Sequence, residues 1–406
     1  MNLPTQTELL LPLLDVIREN GPVRAKQACD ALAAKIGLTD EQREDFVMID
    51  GRKVNRFDRR VRWTRQNALL AELIDPRGWG VWGLTETGEK TYRMAKPSLV
   101  VTVYQSACGS VLWAEASSAL QYIEKKTATL CLCSPPYPLV KPRAYDADIL
   151  DWRPERYLDT LIDHIERIRP ILTEDGSFVL NLGPAFLPGQ AFRNPYQHRL
   201  ISRLVDGLGW NVVDEHFWHN LTKPRGSDHV TKTRTHCGNT LEQIFILTPN
   251  RRTKCSNLRV LTPYSSRHRS LIESGGEIVT RHSPSRIQWP GVKHRRDNGG
   301  SVPGNLHVFT PDRDADYRRY CKSHGLPEHP AMMPLKLAEF FIQLTTEPDD
   351  LVVDTFSGSL KTARAALNLD RRFLVADRCL EYLRGAMCRL PAAGYIPGIE
   401  DRRTAG

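Results

Sequence analysis

Two stretches of this chain carry side chains whose types and spacing can do chemistry. The first is Cys131-Leu-Cys-Ser-Pro-Pro-Tyr137. Small apolar residues running into two prolines predict a buried strand that stops at a sheet edge, because proline offers no ladder donor and fixes its own φ. Two prolines in series also leave carbonyls of rigid direction with no amide hydrogen beside them. With the Ser134 hydroxyl and the flat face of Tyr137, Pro135 and Pro136 make a cradle for a planar group bearing an NH2. Taken alone, such a tetrapeptide is more often an ordinary strand exit.

The second stretch, Leu351-Val-Val-Asp-Thr-Phe-Ser-Gly-Ser359, is an apolar strand that breaks into a small-residue turn and feeds a helix. α/β sheets hold nucleotide-like ligands at such strand ends. Asp354, Thr355, Phe356, Ser357, Gly358 and Ser359 are therefore candidate cofactor contacts. Phe373-Leu-Val-Ala-Asp377 then ends the next strand in a carboxylate, where an acid can take both ribose hydroxyls of an adenosine.

The elements that must position these stretches follow from periodicity. After Pro97, short apolar runs alternate with helical patterns, which predicts an α/β domain with a parallel sheet. Strands are expected at 110–116, 128–133, 177–182, 212–219, 242–247, 351–354 and 372–376. Helices are expected at 155–168, 198–208, 334–345, 362–369 and 380–389. Upstream, residues 5–20 and 24–36 read as amphipathic helices split by Asn20-Gly-Pro22, and a third helix is expected from Phe57 to Leu73. A hairpin at 76–84 and a short helix opening at Thr85 complete a winged-helix layout, with the third helix as groove reader. Between Pro249 and Pro327 periodicity disappears, as in a functional or disordered excursion.

The 406 residues carry a net charge of +9, unevenly spread. Pro249–Gly304 holds 11 Lys/Arg against 3 Asp/Glu, and Arg52–Gln66 holds 7 basic residues against one Asp. Two basic tracts suit a polyanion. The expected contacts are Arg59, Arg62, Arg65, Lys223, Arg251, Arg252, Arg267, Arg269, Arg295 and Arg296. Nine cysteines without a CxxC argue against a zinc site or disulfide framework and for a reducing compartment. His216, His219, His229 and His236 lack ligand spacing, so no metal is expected. The apolar run near the N-terminus has no cationic leader and soon meets Asp15 and Arg18. It reads as neither signal peptide nor membrane span, and the expected location is cytoplasmic, at the nucleoid through DNA binding.

Together the two motifs resemble those of amino-methylating DNA methyltransferases of the permuted β group, in which the catalytic motif precedes the cofactor motif. The resemblance covers about Val100–Leu390, with Ser134–Tyr137 matching the family's SPPY and Asp354–Ser359 its D-P-F-x-G-S. His329-Pro-Ala-Met-Met-Pro334 fits the lead-in to the cofactor motif, and Phe217–Lys223 fits the W-x-K strand end. Residues 1–96 resemble the N-terminal domain of Mrr-type restriction proteins, most clearly in RFDRRVRWTRQNALLAELI and GVWGLTETG. What this implies is a Rossmann-like methyltransferase sheet that uses S-adenosylmethionine (SAM), with a winged-helix domain at 1–96 and a basic target-recognition region at 249–327. The catalytic part would span 97–248 and the SAM-binding part 328–406.

The resemblance further implies transfer to an exocyclic amino group of a base flipped out of duplex DNA. Tyr137 would stack on that base, Ser134 and the Pro135 carbonyl would accept from its NH2, and Asp377 would bind the ribose. Serine before Pro-Pro-Tyr accompanies cytosine-N4 more often than adenine-N6. A cognate restriction endonuclease and a second copy of the chain are further partners it leaves open. Three departures stand out: Thr355 replaces the family's proline, Leu360-Lys361 occupies the place of a Gly/Asn-Thr pair, and Ala114-Glu115 replaces Gly-Asp. A bulkier turn at 360–361 is expected to weaken SAM binding or reshape its pocket. The rival readings are an adenine-N6 enzyme, a non-catalytic DNA-binding regulator, and a methyltransferase acting on RNA or a protein amide.

Overall fold

The computed structural model describes residues 3–4, 6–70, 73–75, 80–85, 94–95, 97, 99–138, 154–187, 190–223, 228–279, 291–293, 296–310, 312 and 314–394. Three helices organise the N-terminal part: α1 (Gln6–Asn20), α2 (Ala25–Lys35) and α3 (Arg56–Leu70). α1 buries Leu9, Leu13, Val16 and Ile17, the stripe that a helix of 3.6-residue period presents to one side. α3 turns Phe57, Val61, Thr64 and Ala68 inward by the same spacing and leaves Arg59, Arg62 and Trp63 exposed. Val23–Arg24 pairs antiparallel with Val81–Trp82, and Ile74 bridges Leu84. The hairpin Phe46–Ile49/Arg52–Asn55, absent from the sequence-based expectation, precedes α3. Asp50 and Gly51 turn it with φ of 48° and 74°, as a two-residue I′ turn requires. Residues 76–79 and 86–93, where part of an expected hairpin and a short helix fall, lie outside the described residues.

Nine strands form one mixed sheet: β1 (Val100–Ser106), β2 (Gly109–Ala114), β3 (Ala128–Cys133), β4 (Leu172–Leu182), β5 (Asn211–His219), β6 (Leu241–Thr248), β7 (Leu306–Val308), β8 (Leu351–Asp354) and β9 (Arg372–Asp377). Their spatial order is β7-β5-β6-β4-β3-β8-β9-β2-β1. The stretch from β4 to β2 is parallel, β6 runs against β4, and β1 runs against β2. α4 (Pro154–Ile168) carries the chain from β3 out to β4. α5 (Ser266–Glu273) and α6 (Ala315–Ser323) follow β6, and α7 (Leu335–Thr345) leads into β8. α8 (Lys361–Asn368) carries it from β8 the opposite way to β9, and α9 (Leu380–Ala386) follows.

Every residue of β3 is buried, as a central parallel strand covered on both faces must be. Leu130 and Leu132 face a core with Leu337, Phe341 and Ala363, while Cys131 and Cys133 face one with Leu161, Ile165 and Phe178. Because the crossovers from β3 and β8 diverge, the carboxyl ends of these adjacent strands open a crevice, where doubly wound sheets place their ligands.

The strands and helices expected within the described residues are present, some with moved ends. β2 stops at Ala114, because Glu115 opens a short helix at Ala116–Leu120. β4 begins five residues earlier than expected, at Leu172, running through polar Thr173–Asp175. The helix expected at 198–208 is regular only over Tyr196–Ser202. β1 was not expected at all. Residues 249–327 are more regular than their pattern indicated: they hold α5, α6, β7 and the paired strands Glu277–Val279 and Gly291–Lys293. α5 buries none of its residues, so it has no apolar period to betray it. The neck of this excursion is closed by Thr262 and Ser301, each donating its amide to the other's carbonyl at 2.9 and 2.8 Å. Gly300 makes that closure fit, since a Cβ there would come within 2.7 Å of the Thr262 carbonyl oxygen.

The N-terminal helices dock on the sheet domain through a buried ion pair. Arg384 Nη2 of α9 donates to Asp15 Oδ2 of α1 at 2.6 Å, beside an antiparallel bridge between Met94 and Cys379. Burial pushes the Asp15 carboxyl up despite Arg384 and Lys35. Removing one member of such a pair strands the other charge and costs about 3–5 kcal/mol. Arg384→Met should therefore lower the unfolding midpoint. Because the stranded Asp15 binds a proton more readily folded than unfolded, the deficit should grow as pH rises and shrink toward acid. Thermal unfolding of both proteins at about pH 5 and pH 8 tests this.

Candidate active site

The two motifs meet at the crevice. β3 pairs with β8 through Cys131 and Val353, so Ser134–Tyr137 and Asp354–Ser359 leave the sheet side by side. Cys133 Sγ lies 3.5 Å from Thr355 Oγ1, which in turn lies 3.0 Å from His164 Nε2 of α4. Burial pulls the His164 imidazole down to about 4, so it is neutral and serves as a hydrogen-bond partner. Thr355, the departure from the family's proline, thus ties the cofactor turn to both β3 and α4.

Past β3 the chain is held at Ser134, Pro136 and Tyr137. Tyr157 Oη of α4 donates to the Pro136 carbonyl at 2.8 Å. The Tyr137 ring lies on Gly183, where a Cβ would approach its Cε2 to 2.2 Å, so no other residue fits beneath it. Tyr137 Oη is 3.0 Å from Ser134 Oγ and donates to Glu242 Oε2 of β6 at 2.7 Å. Asn181 Nδ2 of β4 reaches Tyr137 Oη at 2.9 Å, Glu242 Oε2 at 3.0 Å and Ser134 Oγ at 3.3 Å. Lys223 Nζ donates to Glu242 Oε1 at 2.8 Å. Burial, then the Glu242 charge, pushes the Tyr137 phenol well up, so it keeps its proton. Asn181 and Glu242 were missed as site residues. Each sits on a strand outside the motif, and only the register of β4 with β6, which pairs Leu182 with Gln243, brings them together.

The cofactor turn is equally over-determined. Asp354, buried, accepts from the Phe356 amide at 2.9 Å and Thr362 Oγ1 at 2.6 Å, and burial raises its carboxyl to about 7. Asp377 accepts from the Gly358 amide and the Cys379 amide, both at 2.8 Å, which stitches the end of β9 to the turn. Gly358 has φ of 42°, and a Cβ there would meet His329 Nε2 at 2.5 Å, so the lead-in packs directly on the turn. The buried Ser357 hydroxyl has no partner among the described residues. An unsatisfied buried hydroxyl costs about 1–3 kcal/mol. A polar ligand would relieve that cost, and the turn with Asp377 fits the SAM that the motif implies. Ser357 and Asp377 would hold its polar groups, and the group itself would supply an electrophilic methyl.

Leu360-Lys361 does not crowd this turn. Leu360 adopts φ of 56°, a conformation that costs a side-chain-bearing residue about 1–2 kcal/mol. Its side chain is fully buried, which offsets the strain by about 1.5–3 kcal/mol. Lys361 Nζ is drawn to Asp312 at 2.7 Å and Asp314 at 3.0 Å. Arg389 also binds Asp314 and donates to the Ser359 carbonyl at 2.6 Å. The departure is a charge clamp that fixes the back of the turn.

Of the expected polyanion contacts, Arg59, Arg62, Arg251, Arg252, Arg267, Arg269 and Arg296 are exposed, and Arg65 is half-buried on α3. Lys223 is at the catalytic cluster, paired with Glu242. Arg295 lies outside the described residues. No group of His, Cys, Asp and Glu among the described residues could hold a metal ion. No described helix is long and apolar enough to cross a membrane.

Comparison with known proteins places matches over the same regions. A family model described as DNA methylase matches residues 128–387, and one described as Mrr N-terminal domain matches residues 7–93. Type II methyltransferase M.PvuII of Proteus hauseri is 30% identical over 288 residues, 70% of this chain and 84% of that protein. DNA adenine methyltransferase YhdJ of Escherichia coli (strain K12) is 20% identical over 304 residues, 74% of this chain and 88% of that protein. The solved PvuII DNA methyltransferase (cytosine-N4-specific) superposes with a TM-score of 0.58 at 24% identity, over 73% of this chain and 92% of that one.

Two substitutions probe the geometry. Gly183→Ala should displace the Tyr137 ring, lower single-turnover transfer by about tenfold or more and lower the unfolding midpoint by the equivalent of about 1–3 kcal/mol, since one methyl in a closed contact overpacks it. Lys361→Met should weaken SAM binding by about threefold to tenfold in calorimetry, the equivalent of about 1 kcal/mol.

Proposed function

Since the chain belongs to the DNA methylase family and is a SAM-dependent DNA amino-methyltransferase, we propose that its target is the N4 amino group of cytosine in duplex DNA. The observation that carries the reading is the Ser134 hydroxyl, set beside the cofactor turn at the end of β3 and oriented by Tyr137. Nucleophilic attack needs the amino lone pair aimed at the methyl carbon, and acceptors for its two hydrogens fix that aim. Ser134 Oγ is one acceptor and the Pro135 carbonyl the other. A solved relative, the PvuII DNA methyltransferase, is described as cytosine-N4-specific, which supports cytosine as the base.

The target amino group is held in base pairing within a duplex, so the base must leave the stack to reach the crevice. Tyr137 and the proline pair form the wall against which it settles. Exposed Arg59 and Arg62 on α3 and Arg267 and Arg269 on α5 supply positive charge for the phosphate backbone. In this reading residues 1–96 are a winged-helix DNA-binding domain, residues 249–327 read the target sequence, and residues 97–248 and 328–406 carry the catalytic and cofactor halves. M.PvuII is described as a type II methyltransferase, and in this reading a cognate restriction endonuclease is the partner against which the enzyme protects DNA.

YhdJ, described as an adenine methyltransferase, supplies the competing reading. Methyl transfer from labelled SAM to mixed-sequence duplex DNA, followed by nucleoside digestion and mass spectrometry, separates them. N4-methylcytosine is the expected product; N6-methyladenine would overturn the base assignment.

A further inference from the structure

Glu242 lies on β6, outside both motifs, yet its carboxylate closes the polar chain behind Ser134. We propose that this chain is a proton path, in which the proton shed by the methylated amino nitrogen passes through Ser134 and Tyr137 to Glu242. The proposal rests on the amino-methylating reading of the site and goes beyond it by naming the acceptor.

The direction of the path follows from counting donors. An ionised carboxylate only accepts hydrogen bonds. Tyr137 Oη has one hydrogen and gives it to Glu242 Oε2 at 2.7 Å. Its oxygen can then only accept from its other neighbours, Asn181 Nδ2 at 2.9 Å and Ser134 Oγ at 3.0 Å. Ser134 therefore directs its own hydrogen to Tyr137 and turns its lone pairs to the cradle, where the substrate NH2 donates. The same carboxylate orients the Asn181 amide, because a carbonyl at 3.0 Å from it would be repelled. The two hydroxyl hydrogens of Ser134 and Tyr137 both point toward Glu242, while Asn181 Nδ2 at 3.3 Å occupies at most one Ser134 lone pair and leaves the other for the substrate.

The step balances. The amino lone pair forms the new N–C bond as the methyl–sulfur bond breaks and leaves its electron pair on sulfur. The nitrogen then carries one positive charge and one hydrogen in surplus. That hydrogen moves to Ser134 Oγ as the serine hydrogen moves to Tyr137 Oη and the tyrosine hydrogen to Glu242 Oε2. Both hydroxyls end as they began, the nitrogen is neutral, and one carboxylate has become a carboxylic acid. Lys223, its side chain a quarter exposed, pairs with Glu242 Oε1 and favours return of the carboxylate, so the acid releases its proton to water once product has left.

The titratable groups facing Glu242 are Tyr137 after β3 and Lys223 after β5, with Tyr196 beyond. The test is single-turnover methyl transfer by the full-length chain on duplex DNA, run in H2O and in D2O at one matched pH, where proton transfer through the chain shows as a solvent isotope effect. Glu242→Gln should slow transfer by roughly tenfold to a hundredfold, reaching the low end of the usual range for a lost proton acceptor, and change the solvent isotope effect seen with the unaltered chain. SAM and DNA dissociation constants should stay within about twofold, since neither ligand contacts Glu242 in this scheme. Tyr137→Phe, which leaves the Glu242–Lys223 pair intact, should do the same, and the double variant should be no slower than the worse single one. Should Glu242→Gln lower the unfolding midpoint, Tyr137→Phe alone carries the comparison.

Transfer by Glu242→Gln at the unaltered rate and solvent isotope effect, or losses in the two variants that multiply, would overturn the path while leaving the enzyme class standing. Absence of transfer by the unaltered chain overturns the path together with the reading beneath it.

Discussion

The parallel pairing of β3 with β8 is the contact on which the molecule depends. It joins Cys131 to Val353 across more than half of the chain, and the crossovers on either side leave in opposite directions. In the proposed reaction neither motif can act without it, since Ser134 meets its methyl donor only where the turn after Asp354 stands beside it. Non-local parallel pairing carries a loop-closure cost that grows slowly with length, and the buried apolar residues of β3 and β8 outweigh it. The polar atoms at the seam add direction to that stability. Cys133, Thr355 and His164 form a short series that keeps the two strand ends in register at the point where they part.

Around that seam, charge is held inside the protein by partners rather than by water. Glu242, Asp354, Asp377, Lys361 and Asp15 are all largely withdrawn from solvent, and each has named donors or a counter-charge. A buried ionic group adds little net stability but penalises alternative packings heavily, since any shift leaves a charge unpaired. Such pairs therefore act as positional locks: one between N-terminal helices and sheet, one behind the cofactor turn, one at the cradle.

Much of this was legible in the sequence because chemistry and pattern agreed locally. Ala128–Cys133 and Leu351–Asp354 form with the expected ends, since uninterrupted apolar runs bounded by turn residues have few other fates. The cradle and turn were readable as motifs. What stayed hidden depends on contacts between distant residues. Asn181 and Glu242 look like ordinary strand residues until β4 and β6 pair, and Lys223, expected at DNA, is brought to Glu242 by the antiparallel pairing of β5 with β6. Lys361 read as an obstacle because its partners, Asp312 and Asp314, come from a stretch without periodicity. The Phe46–Asn55 hairpin is a different case: Asp50-Gly51 is a strong local turn signal, passed over because helical patterns flank it.

The Thr262–Ser301 neck has a further consequence. Two mutual amide–carbonyl bonds fix where the excursion leaves and returns, and β7 then seats the returning chain beside β5. The sheet therefore feels only the neck, whatever lies between residues 263 and 300. Doubling the length of a loop with fixed ends costs only about 0.6 kcal/mol. Insertions, deletions and wholesale exchange of that segment are thus nearly invisible to the fold, and lineages can diversify there as fast as selection on the segment itself allows.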